Sequence, residues 1–162
     1  MPTLREFLAS EAEKLRGEQA EMIVRREEWL ASVGRLLVHI QGWLRDADPT
    51  GDLLSVELGS ATIREAGLGA YEAPVLFVRA GRRQVTIRPV GRVVAGALAS
   101  THSTHVLKAY GRVDMESPLG RFLLFRTQKE PEDRWILIQE DGYQSRSLDR
   151  DAFESAFQGL IA

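Results

Sequence analysis

The sequence predicts an α+β protein, in which a long N-terminal helix packs on an antiparallel meander sheet of about 6-8 strands, with a short C-terminal helix. Apolar residues recur at helical spacing through residues 1–48. From residue 53 to residue 148 apolar and polar residues alternate, and turn signals separate most of the alternating segments. A second helical pattern covers residues 149–162. We therefore expect one domain spanning residues 1–162.

The first helix has a clear start and a clear end. Thr3 and Glu6 have the spacing of a capping box, and Asp48-Pro49 stops the helical pattern because the residue before a proline avoids helical backbone angles. The apolar stripe is narrow in the first half of the helix and wide in the second half. Its members recur at every seventh position: Leu8, Leu15, Met22, Trp29, Leu36 and Trp43.

The length of this helix leaves its arrangement open. Unbroken, it would measure ~65 Å, whereas a compact domain of this size is roughly half as wide. The helix could break near Gly17 into a hairpin, project and pair with another chain, or lie across a large sheet with its tip exposed. Residues 11–28 are charged outside the stripe and offer little surface for burial within one chain. The choice is therefore chiefly between pairing with a partner and a broken helix.

The alternating part of the chain predicts successive hairpins. Gly81-Arg82 suits a two-residue type II′ turn, which would place Val78 opposite Val85 and the residues flanking them in register, and Asp141-Gly142 suits a type I′ turn. The predicted strands cover residues 54–58, 61–66, 75–80, 83–89, 105–113, 121–128, 134–140 and 143–148.

Charge is segregated along the chain. Overall, 21 basic and 23 acidic residues give a net charge of -2, but residues 73–113 carry seven basic residues and no acid. Such a stretch is a candidate surface for nucleic acid or a phosphorylated small molecule. The competing interpretation is that these side chains pair with the chain's own acids, and only Phe77 and Tyr110 provide aromatic stacking there. The anion-binding candidates are Arg79, Arg82, Arg83, Arg88 and Arg92.

Two segments have weak metal-binding patterns. His102 and His105 lie in or beside a stretch of small and polar residues, 95–104, but no third ligand lies near them in the sequence. Residues 46–57 have acids at several positions of a calcium-binding EF-hand loop, including the first and the last. Pro49 and the strand-like residues after Glu57 oppose that interpretation and favour a helix end followed by a polar turn. We assign no metal site and no cofactor.

Familiar catalytic signatures are missing from the sequence. With no cysteine there is no thiolate metal site and no cysteine nucleophile, and neither a phosphate-binding P-loop nor a serine-nucleophile elbow is present. The chain also lacks an apolar segment long enough for a membrane span or a signal peptide. These observations lead us to expect a cytoplasmic protein with no membrane partner, and they do not favour an enzyme.

Three hypotheses on function follow. The first is a non-catalytic interaction or assembly module that binds a second copy or another protein through Met22, Trp29, Leu36 and Trp43. The second is a binding module for an anionic ligand that uses the arginines of residues 73–113. The third is an enzyme of unrecognised type, built around His102 and His105.

Overall fold

The computed structural model describes residues 1–92, 109–140 and 144–162. The predicted α+β class is confirmed: a long helix leads, a seven-stranded antiparallel sheet follows, and a short helix closes the chain. The elements are α1 (Leu4–Ala47), β1 (Leu54–Glu65), β2 (Gly69–Ala80), β3 (Arg83–Gly91), β4 (Arg112–Ser117), β5 (Gly120–Gln128), β6 (Arg134–Gln139), β7 (Ser145–Ser147) and α2 (Arg150–Ile161).

Helix α1 is continuous over 44 residues, so the predicted alternative of a break near Gly17 is wrong. The capping box is present at its start, where the Thr3 hydroxyl accepts a hydrogen bond from the Glu6 backbone and the Glu6 carboxylate accepts one from the Thr3 backbone. At its end the Asp48 backbone N–H donates to the Leu44 carbonyl at 3.0 Å. The helix is therefore defined by local signals at both ends.

The sheet is a simple meander in which each strand pairs with its sequence neighbour. The predicted β2–β3 hairpin is confirmed, with Val78 opposite Val85 in the observed register. Gly81 has a φ of 62°, and the φ of Arg82 is not positive. A type II′ turn requires this combination, with a positive φ at its first central residue only. Local turn chemistry thus fixes the register of the β2–β3 pair.

Strand β1 corrects one prediction, because residues 54–58 and 61–66 belong to a single strand and not to two. Gly59 and Ser60 look like a turn in the sequence. In the sheet, the Phe77 ring lies over Gly59, and a Cβ atom there would come within 2.8 Å of the ring. The glycine is therefore a packing position under an aromatic ring, which lets the strand continue.

Other strand limits also differ from those predicted. Strand β2 begins at Gly69, earlier than expected, and β4 runs on to Ser117. Of the predicted strand 105–113, residues 105–108 lie outside the described residues and residues 109–111 are not strand, so β4 begins only at Arg112. The predicted turn at Asp141-Gly142, the segment 95–104, and the histidines His102 and His105 also lie outside the described residues.

The core lies between the sheet and the second half of α1, and α2 packs against the same core. Helix α1 contributes Trp29, Val33, Leu36, Leu37, Ile40 and Leu44. The sheet contributes residues such as Leu76, Val78, Val85, Ile87, Val113, Met115 and Leu124. Helix α2 contributes Phe153, Phe157 and Leu160. The amphipathic face predicted for the second half of α1 is thus buried on the chain's own sheet.

Trp29 is the largest fully buried side chain of α1. Its ring lies 6.1 Å from that of Trp135 and fills the space beside Gly111, so that a Cβ atom at Gly111 would overlap it. Gly111 comes directly before β4, and its carbonyl accepts a hydrogen bond from the Arg126 backbone N–H of β5 at 3.0 Å. Close packing of a tryptophan on a glycine thus fixes α1 against the sheet at this point.

We predict that Gly111→Ala lowers the free energy of unfolding by at least about 2 kcal/mol, because a methyl group and a buried ring cannot share one space. Urea denaturation measures the change. Gly34→Ala is the matched control. No atom lies within 4 Å of the added Cβ in α1, so this variant should be more stable than the wild type. Wild-type stability of Gly111→Ala would contradict the packing described here.

Candidate interaction surfaces

The first half of α1 extends beyond the sheet. We call residues 4–21 the projecting segment. All of its residues except Glu11 are exposed, and at ~1.5 Å per residue the segment is ~27 Å long. Contact with the sheet begins where Met22 is partly buried and the Arg26 guanidinium donates to the Leu68 carbonyl at 3.4 Å. More than a third of the helix therefore has no cover from its own chain.

Large apolar side chains form a row along the projecting segment. Leu4, Phe7, Leu8 and Leu15 are 72%, 52%, 56% and 57% exposed. Their spacing places them on the helix face that, further along, turns towards the sheet at Met22 and Trp29. Glu11 interrupts this row between Leu8 and Leu15, but large apolar side chains left without cover are typical of an interaction surface.

The projecting segment is well suited to remain helical without support from the sheet. Lys14 and Glu11 form an ion pair at 3.2 Å, and helix-favouring alanine, leucine, glutamate and lysine residues dominate its composition. Helix nucleation is the costly step, and the packed second half of α1 already supplies a nucleus. The segment therefore extends an existing helix and presents its apolar row in a fixed geometry.

The four predicted partner-binding residues do not form one accessible surface. Trp29 and Leu36 are 0% and 3% exposed within the chain's own core. Met22 is partly buried at the start of the sheet contact, and Trp43 is partly buried against Phe153, with 5.4 Å between ring centroids. The same stripe thus contains a buried part and an exposed part, and the exposed part lies nearer the N-terminus than the predicted residues.

The five arginines of the anion-binding prediction are spread over the sheet. Arg79, Arg82 and Arg83 lie around the β2–β3 turn and are exposed, whereas Arg88 forms an ion pair with Glu116 at 3.1 Å. Arg92 follows β3, and at ~3.3 Å per residue it is roughly 30 Å along the strand from the turn. These side chains do not converge on one site, although the group of three at the turn is a local concentration of positive charge.

An apolar groove lies at the C-terminal end of α1. Its volume is about 580 Å³, and most of the surface that lines it is apolar. It is bounded by the end of α1, the start of β1, the β2–β3 turn and one side of α2. The lining residues include Trp43, Leu44, Leu53, Leu54, Ala80, Phe153, Phe157 and Ile161. We call this surface the apolar groove.

Arg83 is the cross-strand neighbour of one residue of the apolar groove. It pairs across the hairpin with Ala80, which lines the groove, and cross-strand partners project from the same face of a sheet. Its position on β3 also has the same parity as Val85 and Ile87, which face the core. Among the residues that the structure describes, no carboxylate forms an ion pair with Arg83. Among the described residues, the charged side chains that line the groove itself are Asp48 and Glu154, so this end of the molecule carries charges of both signs.

A buried arginine joins α1 to the sheet through a network that the sequence interpretation missed. The Arg126 side chain on β5 is 1% exposed and donates to Glu28 on α1 at 3.1 Å and to Asp133 at 2.8 Å. Asp133 also accepts a hydrogen bond from Arg35 of α1 at 2.9 Å. We call Glu28, Arg35, Arg126 and Asp133 the charged cluster. They line a more polar cavity of about 500 Å³.

One sequence signal could have identified this cluster. Phe122, Leu124 and Arg126 occupy alternate positions of β5, so that the arginine falls on the side of the strand that carries apolar residues. A charge at such a position needs a buried partner. The sequence does not reveal which acid provides it, because Glu28 is 98 residues away in the chain.

The charged cluster holds its two carboxyl groups in the ionised form. Hydrogen bonds from Arg126 lower the pKa of Glu28 below the ordinary value for glutamate. Burial would raise the pKa of Asp133, but hydrogen bonds from Arg126 and Arg35 outweigh it, and the net shift is downward. A general acid needs a pKa near the working pH, so these carboxylates suit an ion-pair network better than acid catalysis.

Residues 46–57 form the end of α1, a turn and the start of β1, which is not the arrangement of a calcium-binding EF-hand loop. The Asp48 carboxylate accepts hydrogen bonds from the Leu53 and Leu54 backbones at 3.0 and 2.8 Å, which closes the turn into β1. Glu57 lies within β1, whereas an EF-hand continues into a helix after its loop. Within residues 1–92, 109–140 and 144–162, no group of three histidine, aspartate or glutamate side chains is placed to hold a metal ion.

Comparison with known proteins gives no relative: no family model, no curated protein and no solved structure matches the chain. Within the described residues, neither α1 nor α2 is long and apolar enough to cross a membrane.

The charged cluster predicts that stability falls in acid. Because the pKa values of Glu28 and Asp133 are lowered in the folded chain, the unfolded chain binds protons first as the pH decreases. The stabilisation should be complete above the ordinary carboxyl range, near pH 5, and should be lost as the pH falls through the folded-state values. Urea denaturation from pH 7 to pH 3 measures this loss, and a free energy of unfolding independent of pH in that range would contradict it.

We further predict that Arg126→Met lowers the free energy of unfolding at pH 7 by about 3 kcal/mol, because it leaves two carboxylates without their shared partner. This loss of stability is at the low end of the range usual for breaking a buried ion pair, because the Glu28 side chain is 38% exposed and water screens its charge. The variant should also lose less stability than the wild type on acidification. Arg134→Met, at an exposed arginine on β6, is the control and should change neither quantity appreciably.

Proposed function

We propose that the protein is a non-catalytic assembly module that self-associates through the projecting segment of α1. The observation that carries the proposal is the uncovered apolar row of Leu4, Phe7, Leu8 and Leu15 on a helix that is fixed to its own sheet only beyond residue 21. Covering water-exposed apolar side chains with a second surface is favourable in free energy.

The fixed geometry of the segment supports the proposal. Trp29 on Gly111 and the charged cluster hold α1 within two turns of the point at which it leaves the sheet. A surface that is already ordered loses little conformational freedom when a partner binds. The projecting segment therefore meets a general requirement of a specific interface, which a flexible tail would not meet.

A second copy of the chain is the partner that the molecule itself favours. The projecting segment contains five glutamates and three basic residues, for a net charge of -2. The same chain carries the three exposed arginines around the β2–β3 turn, Arg79, Arg82 and Arg83. Two copies thus offer each other surfaces of opposite charge as well as apolar area.

We predict that Leu8→Glu/Leu15→Glu is monomeric under conditions in which the wild type is a dimer. Light scattering after size-exclusion chromatography should give the wild type twice the 18.1 kDa chain mass and the variant the mass of one chain. Both leucines are more than half exposed, so the fold and the circular dichroism spectrum should be unchanged.

The matched control is Ala9→Glu/Ala20→Glu, which adds the same two charges to the opposite side of the projecting segment. This variant should remain a dimer. A wild-type chain that is monomeric at all concentrations would overturn the proposal, and so would a Leu8→Glu/Leu15→Glu variant that still dimerises.

A further inference from the structure

We infer that the outer edge of β1 receives one further β-strand, contributed by an extended segment of a partner protein. The segment carries apolar side chains at alternate positions and an acidic residue beside them. This site goes beyond the proposed self-association and does not depend on it, because β1 and the projecting segment share no residue.

Strand β1 forms an outer edge of the sheet. All 12 of its residues pair with β2, and among the described residues no strand pairs with it on the other side. Every second residue of such a strand directs its backbone N–H and C=O groups away from the sheet. Proline, lysine and bulges commonly protect an edge, but β1 contains neither residue, and its pairing with β2 has no register shift. A long, regular edge of this kind is a template for an added strand.

Apolar side chains lie along this edge on the core side of the sheet. Val56 pairs across the hairpin with Val78, and Leu58 pairs with Leu76. Both partners are fully buried in the core, whereas Val56 and Leu58 are 41% and 60% exposed. Because cross-strand partners project from the same face of a sheet, the two exposed side chains also point to the core side, but the core does not cover them. They therefore offer apolar contacts to alternate side chains of an added strand.

Helix α1 forms the opposite wall of a cleft along this edge. Gln41 and Arg45 of the helix and Val56 of the strand line a cavity of about 250 Å³. Val38 precedes Gln41 by three residues, so it lies on the same side of the helix, where it is 64% exposed. A groove between a helix and a sheet edge is suited to the side chains of an added strand. We call the following residues the edge cleft: Val38, Gln41, Arg45, Leu54, Val56 and Leu58.

The charges that line the cavity favour an acidic residue in the bound segment. They are Arg45 and Asp48. The Asp48 carboxylate already accepts hydrogen bonds from the Leu53 and Leu54 backbones, at 3.0 and 2.8 Å. Arg45 is exposed, and among the described residues no carboxylate forms an ion pair with it. Arg45 is therefore the charge that remains for a ligand, and a carboxylate of the bound segment would pair with it.

The β1 strand of a second copy does not supply this carboxylate. When two copies of one edge pair about a two-fold axis, side chains of the same face meet. Strand β1 carries six residues on the face of Val56, and they include one cation and no acid. They are Leu54, Val56, Leu58, Ser60, Thr62 and Arg64. A segment of another protein therefore matches the edge cleft better than a second β1 does.

A synthetic peptide of sequence Glu-Thr-Val-Thr-Val-Thr-Glu tests the inference on the full-length protein. Its valines and glutamates share one face of a strand, and a glutamate lies at the Arg45 end in either strand direction. We expect fluorescence anisotropy of the labelled peptide to give a Kd of about 100 μM or tighter. No binding at a protein concentration of about 1 mM would overturn the inference.

N-methylation of the peptide distinguishes an added strand from apolar contact alone. One isomer is methylated at the threonine amides and the other at the valine amides. Only every second amide of an added strand faces β1, so one isomer should lose binding and the other should keep it. Equal affinities of the two isomers would contradict strand pairing.

Variants of the edge cleft place the peptide on the protein. Leu58→Lys should weaken binding at least about tenfold, because it puts a flexible charge where an apolar contact is needed. Val90→Lys is the matched control on β3, at a valine that is 44% exposed, and should leave the Kd unchanged. Equal effects of the two lysines would contradict the proposed site.

Charge reversal tests the role of Arg45. Arg45→Glu should weaken binding of the peptide at least about fivefold and should strengthen binding of a peptide in which lysines replace the glutamates. An unchanged preference between the two peptides would contradict the acidic specificity inferred here.

The outcomes also separate the edge cleft from the proposed function. Leu8→Glu/Leu15→Glu should bind the peptide as tightly as the wild type does, since neither leucine belongs to the edge cleft. A wild-type dimer that binds no peptide would keep self-association and overturn the added strand, and a monomer that binds it would do the reverse. A dimer that Leu58→Lys dissociates would make a second β1 the occupant and overturn the partner segment.

Discussion

The length of the β1–β2 hairpin determines how much of α1 the sheet can cover. At one end of the hairpin, Leu54 and Ala80 lie beside the last turns of α1 around the apolar groove. At the other end, Leu68 contacts Arg26. Strands of 12 residues extend over ~40 Å, and the helix measures ~66 Å. The two elements run side by side until the hairpin ends, so the remaining helix has nothing of its own chain to pack on.

Two interactions fix α1 close to the point at which it leaves the sheet. Trp29 fills the space beside Gly111, and neighbouring Glu28 binds the buried Arg126. The contact between Trp29 and Gly111 depends on close packing, which leaves no space for an added methyl group. The contact between Glu28 and Arg126 is an ion pair, and removing either partner would leave the other charge away from water without compensation. Together they set the direction of the projecting segment, so that local packing determines where a surface ~27 Å long is presented.

The sequence predicts those features that depend on local or periodic signals. The capping box at Thr3, the end of α1 before Pro49 and the Gly81 turn with its register are all local, and all are observed. Features that depend on distant partners are not predictable in this way. Gly59 has the sequence context of a turn until Phe77 is known to lie over it. The alternation of β5 places Arg126 among apolar residues, but it does not show that Glu28 is the partner.

The apolar stripe of α1 shows most clearly where such reasoning stops. Leu8, Leu15, Met22, Trp29 and Leu36 have identical spacing, yet Trp29 and Leu36 are buried by the chain's own sheet while Leu8 and Leu15 are exposed. Periodicity specifies a face and not what covers it. What distinguishes the two halves is the width of the stripe, which is broad where a sheet must be covered and narrow where one more helix or groove would suffice. The narrow part of the stripe, with Leu8 and Leu15, is the part that the proposed self-association would cover.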